Sequence, residues 1–380
     1  MLIHSNVRIE GEVTVGEGSW IGANCQLSGN IRIGAGSVVK ANSIVLDNVP
    51  DYCVVSGNPA AVVQVYEISS GSWVEVSDNK QAQALLNARS RLPLLSICIP
   101  TFNRAAYLDT CLQSIYSQIG NNELIEVVVS DNASTDATPE IIDKYKSLYS
   151  NMRAVRNDTN IGGDPNIFYV TTLGRGKFVK MQGDDDYFVA GKIMPLLHLL
   201  HSHPECGVIH ISLINGSRPP GAGSGMSNFL AATTLYAAFI SSIVLRREDL
   251  ENIENPTLFM TSKFNQLYLQ YSILKNNPHF CIMYNSMFSY GGAYNVKYSF
   301  AEVFFNGYPS ILSHFLGTGL TAGEIAREKR QTLYNYTIPW FRNNKATVST
   351  DEFEEVYTKY YQEEPYYEDA LAIMTAIRQS

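Results

Sequence analysis

Features that would assign the chain to a membrane-spanning or secreted class are absent from its 380 residues. It has no run of about 18 apolar residues, so the sequence predicts no membrane-spanning helix. The first residues, MLIHSNVRIEGE, lack the basic start and the apolar stretch of a signal peptide. We therefore expect a cytoplasmic protein and leave peripheral contact with the inner face of the membrane open.

Positive charge and paired cysteines are also scarce. Lys and Arg number 28 against 36 Asp and Glu, which gives a net charge of −8. A chain this acidic is a poor candidate for nonspecific binding to nucleic acid, so we expect no nucleic-acid partner. The six cysteines form no CxxC pair and no Cys/His cluster, which predicts reduced thiols rather than a disulfide framework or a zinc site.

A six-residue repeat runs through residues 1–65. Aliphatic residues recur without a gap at Ile9, Val15, Ile21, Leu27, Ile33, Val39 and Val45. This period fits neither an α-helix nor a flat alternating strand, whereas a solenoid of short strands places one aliphatic side chain inward every six residues. The repeat therefore predicts an N-terminal solenoid.

Three segments of the repeat carry a resemblance: WIGAN at 20–24, IGAGSVVKAN at 33–42 and VVSGNPAAVV at 54–63. They are similar to the hexapeptide-repeat acyltransferases, which implies a left-handed parallel β-helix and a homotrimer. The catalytic histidine of that family generally lies in coils upstream of these. Two alternatives stay open: His4 is an acyl-transfer base, or the module has no acyltransferase activity and only assembles subunits. We expect the second.

Strands and helices alternate in the next part of the chain. Residues 66–93 predict a linker with one short helix from Asn79 to Ser90, and residues 94–318 predict an α/β domain with a mainly parallel, Rossmann-like sheet. The predicted strands lie at 94–102, 125–130, 152–158 and 176–182. Residues 319–380 predict a helical C-terminal region with an N-cap at Thr321.

Polar clusters follow two of these strands. Asp131 ends one of them, and Asp184, Asp185 and Asp186 follow another. Ligands of parallel α/β sheets bind beyond the carboxyl ends of the strands. Three adjacent carboxylates are costly unless a cation offsets their charge, and Mg²⁺ and Mn²⁺ prefer oxygen ligands. The alternative is that these are solvated acidic turns.

Four motifs in order carry a second resemblance: PTFNR at 100–104, VVVSDNASTD at 127–136, NDTNIGG at 157–163 and GDDD at 183–186. The set resembles the family-2 glycosyltransferases with the GT-A fold, and their abequosyltransferase-like branch in particular. The resemblance implies transfer of a sugar from a nucleotide diphosphate donor to a glycan or lipid-linked acceptor in bacterial surface polysaccharide biosynthesis.

The same resemblance implies roles for individual residues. Binding of the nucleotide sugar falls to Thr101, Asn103, Arg104, Asp131, Asn160, Gly162, Asp184 and Asp185. The metal-binding DXD motif, holding Mn²⁺ or Mg²⁺, falls to Asp184 and Asp186. The motif can be aligned within GDDD in more than one way, so the choice between Asp184 and Asp185 stays open.

The catalytic base is the weakest part of the resemblance. Many members carry an acidic residue before an amphipathic stretch, but residues 262–265 here read SKFN. Glu254 is our candidate base, and Asp249 is the alternative. A carboxylate base would give inversion at the anomeric carbon. Two other functions stay open: a bifunctional glycosyltransferase and O-acetyltransferase, or an inactive glycan-binding scaffold.

Overall fold

The first part of the chain forms short strands that pair with strands one 18-residue coil away. The computed structural model describes residues 2–67, 72–89, 92–213, 218–284, 286–290, 299–344 and 350–379. The first strands are β1 (Leu2–Ile3), β2 (Arg8–Glu10), β3 (Val13–Val15), β4 (Trp20–Ile21), β5 (Gln26–Ser28), β6 (Ile31–Ile33), β7 (Val38–Val39) and β8 (Ile44–Val45).

Three parallel ladders explain the six-residue repeat. Strands β1, β4 and β7 form one ladder, β2, β5 and β8 a second, and β3 and β6 a third. Ile9, Leu27 and Val45 are register partners in the second ladder. Leu27 is fully buried, whereas Ile9 on the outermost coil is 50% exposed. This pairing is compatible with the predicted β-helix.

The segment predicted as a linker is largely structured. After the repeat come β9 (Cys53–Gly57), β10 (Ala60–Glu67), β11 (Ser72–Glu75) and α1 (Asn79–Arg89). The predicted helix is present, but the prediction missed β11, which pairs antiparallel with β10. Ala82 of α1 is buried in the hydrophobic core of the repeat module. The module therefore extends beyond residue 65, because this hairpin and helix cover its last coil.

The second part of the chain is an eight-stranded sheet with helices on both faces. Its strands and those beside it are β12 (Leu95–Thr101), β13 (Ile125–Asp131), β14 (Met152–Arg156), β15 (Phe178–Met181), β16 (Asp186–Phe188), β17 (Val208–Ile211), β18 (Gly221–Ser224), β19 (Ile243–Arg246), β20 (His279–Met283) and β21 (Phe288–Tyr290). Its helices are α2 (Ala105–Ile119), α3 (Thr138–Leu148), α4 (Gly163–Thr172), α5 (Ile193–Ser202), α6 (Met226–Thr233), α7 (Arg247–Glu251), α8 (Asn265–Asn276) and α9 (Tyr308–His314).

The sheet is mixed rather than mainly parallel. Its order is β14-β13-β12-β15-β19-β17-β20-β18. The four predicted strands are present and form its parallel half. In the other half β19 runs antiparallel to both of its neighbours, and β18 runs antiparallel to β20. Because β19 is reversed, the residues before it reach the edge at which β12, β13 and β15 end.

The C-terminal region is helical, as predicted. It contains α10 (Ala322–Thr332), a π-helical turn (Leu333–Thr337), α11 (Ile338–Asn344), α12 (Thr350–Tyr361) and α13 (Tyr367–Gln379). Thr321 caps α10 in a capping box with Glu324. Buried aromatic side chains, among them Phe341 and Tyr357, join these helices to the core of the α/β domain.

The repeat module packs directly on the α/β domain through α5. The ring of His201 lies 3.6 Å from that of Tyr66, and the ring of His198 lies 6.5 Å from that of Tyr52. Both histidines are therefore packing residues between the two parts of the chain. None of the described helices combines the length and the hydropathy that crossing a bilayer requires.

Candidate active site

The loop after β12 is fastened to the loop after β13 at the edge where both strands end. Asn103 has a φ of 52°, a left-handed conformation that asparagine tolerates better than most residues. Its Oδ1 accepts a hydrogen bond from the backbone N–H of Thr135 at 2.7 Å, and its own N–H donates to Ser134 Oγ at 2.8 Å. Asn103 therefore braces two loops of the predicted nucleotide site.

Arg104 and two of the three consecutive aspartates form one cluster with Thr101. The guanidinium of Arg104 lies 2.6 Å from Asp185 Oδ2 and 3.4 Å from Asp184 Oδ1. Thr101 Oγ1 donates to Asp184 Oδ2 at 2.8 Å. The structure thus brings together four residues that the motifs placed up to 84 positions apart.

Asp186 has a separate set of partners. Its Oδ2 accepts a hydrogen bond from Ser241 Oγ, and that hydroxyl also accepts one from the N–H of Gly183 at 2.8 Å. A Cβ on Gly183 would lie 2.8 Å from Asp186 Oδ2 and 3.2 Å from Asp185 Oδ1. The carboxylates of Asp185 and Asp186 therefore lie close to the backbone at Gly183, and a side chain at this position would displace them.

Asp184 and Asp186 are buried, and the positive charges of Arg104 and Lys180 only partly offset the cost of burying their carboxylates. Burial raises the pKa of Asp184 to about 7, against the opposing effect of Arg104. Burial likewise raises the pKa of Asp186 to about 6, and the nearby charge of Asp185 adds to the rise. A hard divalent cation fits this donor set, because it takes carboxylate oxygens and offsets their charge.

A buried lysine lies beneath Asp186. The Nζ of Lys180 donates to the backbone oxygens of Met181 and Ser241 and to Gln182 Oε1, at 2.7–3.0 Å. The amide of Gln182 in turn donates to the backbone oxygen of Asp186 at 2.7 Å. Lys180 therefore fixes the backbone on which the aspartates and Ser241 stand.

Asp131 lies at the end of β13 and is 1% exposed. Its Oδ2 is 2.7 Å from Arg156 Nη1, and its Oδ1 accepts from the N–H of Ser134 at 2.9 Å. Arg156 also donates to the backbone oxygen of Ser134 at 2.6 Å. Asp131 therefore holds its own loop in shape, at the edge where the predicted nucleotide site lies.

Asn132 organises the loop that holds Asn160 and Gly162. Its Nδ2 donates to Asn160 Oδ1 at 2.8 Å and to the oxygen of Gly162 at 3.2 Å. Its Oδ1 accepts from the N–H of Ile161 at 3.0 Å. Gly162 has a φ of 94°, a value that favours glycine, and α4 begins at the next residue. The predicted residues of this loop are thus held by one that the prediction omitted.

The two candidate bases differ in position. Asp249 pairs with both Arg246 Nε and Nη2 at 2.8 Å, and Arg246 is the register partner of Phe178, at the start of β15. Asp249 therefore lies at the edge of the sheet opposite Asp184, and this alternative is wrong. Glu254 is exposed in the segment between α7 and α8, and makes no hydrogen bond or ion pair with the residues that the structure describes.

Three residues that hold these loops and the acidic cluster in place were not predicted from the sequence. Asn132 lies within the second motif and Arg156 directly precedes the third, so both had a signal in their position next to a motif. Ser241 had no such signal, because it is 55 residues from Asp186 and precedes a strand that was not predicted from the sequence.

Comparison with known proteins decides the family. The family model described as glycosyl transferase family 2 matches residues 96–290, more than half of the chain. The chain belongs to glycosyltransferase family 2. A second model, described as bacterial transferase hexapeptide (six repeats), matches residues 12–47.

Individual relatives of this family-2 enzyme are similar over shorter stretches. It is 39% identical over 114 residues to the abequosyltransferase RfbV of Salmonella typhimurium, which covers 30% of this chain and 34% of that protein. It is 49% identical over 59 residues to the validoxylamine A glucosyltransferase of Streptomyces hygroscopicus, covering 16% of this chain and 14% of that protein. The alignments thus span about a third or less of these relatives.

The fold has a neighbour among solved structures. The crystal structure of S. aureus TarS residues 1–349 superposes with a TM-score of 0.54 and 18% identity, over 75% of this chain and 90% of that one. At 18% identity this likeness shows a shared fold alone.

Proposed function

We propose that this glycosyltransferase moves a sugar from a nucleotide diphosphate donor to a glycan or lipid-linked acceptor in bacterial surface polysaccharide biosynthesis. The observation that carries the proposal is the pair of buried carboxylates, Asp184 and Asp186, at the strand edge beside Arg104. The relatedness to an abequosyltransferase supports the class of pathway. The buried free cysteines fit a cytoplasmic setting.

The proposed donor site extends along the strand edge. Thr101, Asn103 and Arg104 would lie where the first loop meets the nucleotide. Asp131 would hold the base, and Asn160 and Gly162 would lie near the ribose. Asp184 and Asp186 would hold Mn²⁺ or Mg²⁺, with Asp185 beside them. A bound divalent cation would offset the charge that develops on the departing nucleotide diphosphate.

The rest of the chemistry falls to side chains of this chain. Arg104 is partly exposed and would exchange Asp185 for an oxygen of the diphosphate, since guanidinium groups bind carboxylates and phosphates alike. Glu254, exposed and unpaired among the described residues, would take the proton of the acceptor hydroxyl and so give inversion.

A binding and turnover experiment tests this function. UDP, GDP, CDP and dTDP are titrated into the protein with and without Mn²⁺, and hydrolysis of the matching nucleotide sugars is measured. UDP is the first choice, because the TarS neighbour was also solved with UDP-GlcNAc. We expect one nucleotide to bind and to need the cation. No binding of any of them with Mn²⁺ would refute the proposal.

For the repeat module we propose a left-handed β-helix of residues 1–65 that assembles the enzyme as a homotrimer. The three parallel ladders and the match to the hexapeptide model support this. Light scattering tests it, and a mass that stays monomeric at all concentrations would contradict it. Acyl transfer is not favoured, because His4 Nε2 already accepts a hydrogen bond from Trp20 Nε1 at 2.9 Å.

A further inference from the structure

A groove lined by aromatic, charged and amide side chains lies in the C-terminal helical region, formed by residues outside the proposed donor site. It has a volume of about 650 Å³ and runs between α10, the π-helical turn that follows, and the residues just before α13. Its lining includes Arg327, Arg330, Gln331, Tyr334 and Tyr366.

Arg330 is held in this groove by two aromatic rings. Its guanidinium carbon lies 5.9 Å from the ring centroid of Tyr334 and 5.7 Å from that of Tyr366. Tyr366 is 91% buried, so its ring is a fixed wall. The rings position the cation, and its N–H donors have no acceptor among the residues that the structure describes.

Arg327 lies one helical turn before Arg330, on the same face of α10. Neither guanidinium donates a hydrogen bond or lies within ion-pair distance of a carboxylate among the residues that the structure describes. The carboxylate on the groove wall, Glu364, is paired with Lys329 instead. Glu328 is buried and accepts a hydrogen bond from the hydroxyl of Tyr308.

Arg327 interacts electrostatically with nearby Glu324 and Glu328, but neither it nor Arg330 is within ion-pair distance of a carboxylate among the described residues. The N–H donors of both guanidinium groups are the kind that bind a phosphate. The half-buried ring of Tyr334 and the exposed amides of Gln331 and Asn335 lie beside them. Such groups suit the apolar face and the hydroxyls of a sugar.

We propose that this groove binds a phosphate-bearing saccharide. Arg327 and Arg330 take the phosphate, and Tyr334, Gln331 and Asn335 take the adjoining sugar. The ligand is either a free sugar phosphate or the head group of a lipid. The proposal does not depend on the reaction at Asp184–Asp186.

Calorimetric titration of the full chain with glucose 1-phosphate, inorganic phosphate and methyl glucoside tests the site. We expect glucose 1-phosphate to bind at least about tenfold more tightly than either part alone, a difference of about 1.4 kcal/mol. Equal affinity for inorganic phosphate would overturn the assignment of a saccharide.

Variants locate the binding. Arg327→Gln with Arg330→Gln should weaken binding of glucose 1-phosphate at least about tenfold, since each charged hydrogen bond is lost. Arg247→Gln is the control for loss of an arginine elsewhere, because that arginine is half-exposed on α7, is paired with Glu251 and lies outside the groove. Asp184→Asn should leave the affinity unchanged. Loss of binding in Asp184→Asn, but not in the double variant, would move the ligand to the donor site and refute the proposal.

A third variant separates the sugar from the phosphate, and a vesicle assay separates the two sources. Tyr334→Leu should reduce the preference for glucose 1-phosphate over phosphate, and an unchanged preference would contradict the role of the ring. Flotation with phosphatidylcholine vesicles containing phosphatidylinositol supports a lipid head group if the double variant abolishes it. Without flotation, binding of glucose 1-phosphate supports the soluble source.

Discussion

Two buried acidic sites lie on the same sheet, at opposite ends of its strands, and they are compensated very differently. Glu126, near the start of β13, is 4% exposed and is paired with Arg153 at 3.0 Å and Arg175 at 3.2 Å. It also accepts hydrogen bonds from the hydroxyl of Ser96 at 2.6 Å and from the N–H of Arg175 at 2.5 Å. These bonds outweigh the cost of burial and lower the pKa of Glu126.

The cluster at the other end is under-compensated. Asp184 and Asp186 are as buried as Glu126, but Arg104 is the one arginine paired with the three aspartates among the described residues. Burial therefore raises the pKa of both carboxyl groups. The charge of Glu126 is offset by arginines within the protein. The charge of the aspartate cluster is only partly offset, as expected for residues that would bind a cation.

The largest expected effect comes from a change in the aspartate cluster. Asp186→Asn keeps the shape and one acceptor for Ser241 but removes a negative charge. We expect sugar transfer to fall at least about 100-fold, as for loss of one group that stabilises transition-state charge, while the melting temperature holds or rises. Steady-state rates at saturating Mn²⁺ and thermal melts measure this. Full activity in the variant would remove Asp186 from the mechanism.

The second prediction concerns Glu126, at the opposite end of the strands. Glu126→Gln leaves two arginines without their carboxylate, and we expect the free energy of unfolding to fall by about 1–3 kcal/mol. Because both arginines are partly exposed, water would limit the loss. Urea denaturation measures the change. Activity per folded molecule should stay near that of the wild type, and a loss as large as that of Asp186→Asn would end the distinction between the two sites.

The strand ends were predictable from the sequence because strands and motifs are local. Apolar runs located β12, β13 and β15, and the polar residues at or just after their ends, such as Thr101 and Asp184, had to meet at one edge. The capping box at Thr321 was predictable for the same reason, since its two partners are three residues apart.

The remaining structure depends on contacts between distant segments. The antiparallel half of the sheet was not predictable, because the apolar run of a buried strand such as β19 does not indicate the direction in which the strand runs. Ser241 reaches Asp186 only because β19 is reversed. Glu126 gave no signal either, since its arginines lie 27 and 49 residues away.

The third prediction sharpens the account of how the acidic cluster is held. Ser241→Ala removes the hydroxyl that bonds both Asp186 and the N–H of Gly183. We expect Mn²⁺-dependent nucleotide affinity to fall about tenfold, or about 1.4 kcal/mol, with a smaller loss of stability. Ser241→Thr keeps the hydroxyl and should restore most of the affinity. Equal defects in both variants would indicate a packing role instead.

The smallest expected effect concerns how stability depends on pH. The two acidic sites should contribute to this dependence with opposite signs. The pKa values of Asp184 and Asp186 are raised, so in metal-free protein the folded state binds more protons than the unfolded state between about pH 4 and pH 7. Their contribution to stability therefore falls as pH rises through that window. The pKa of Glu126 is lowered, so its contribution is present above its ordinary pKa and is lost as pH falls.

Urea melts of metal-free Asp186→Asn and Glu126→Gln across that pH range separate the two contributions. Relative to the wild type, Asp186→Asn should gain stability as pH rises, by on the order of 1 kcal/mol. Glu126→Gln should lose most at the upper end of the range. Added Mn²⁺ should flatten the wild-type dependence, because the cation replaces the protons on the aspartates. Parallel pH profiles for the two variants would mean that the two acidic sites are compensated alike.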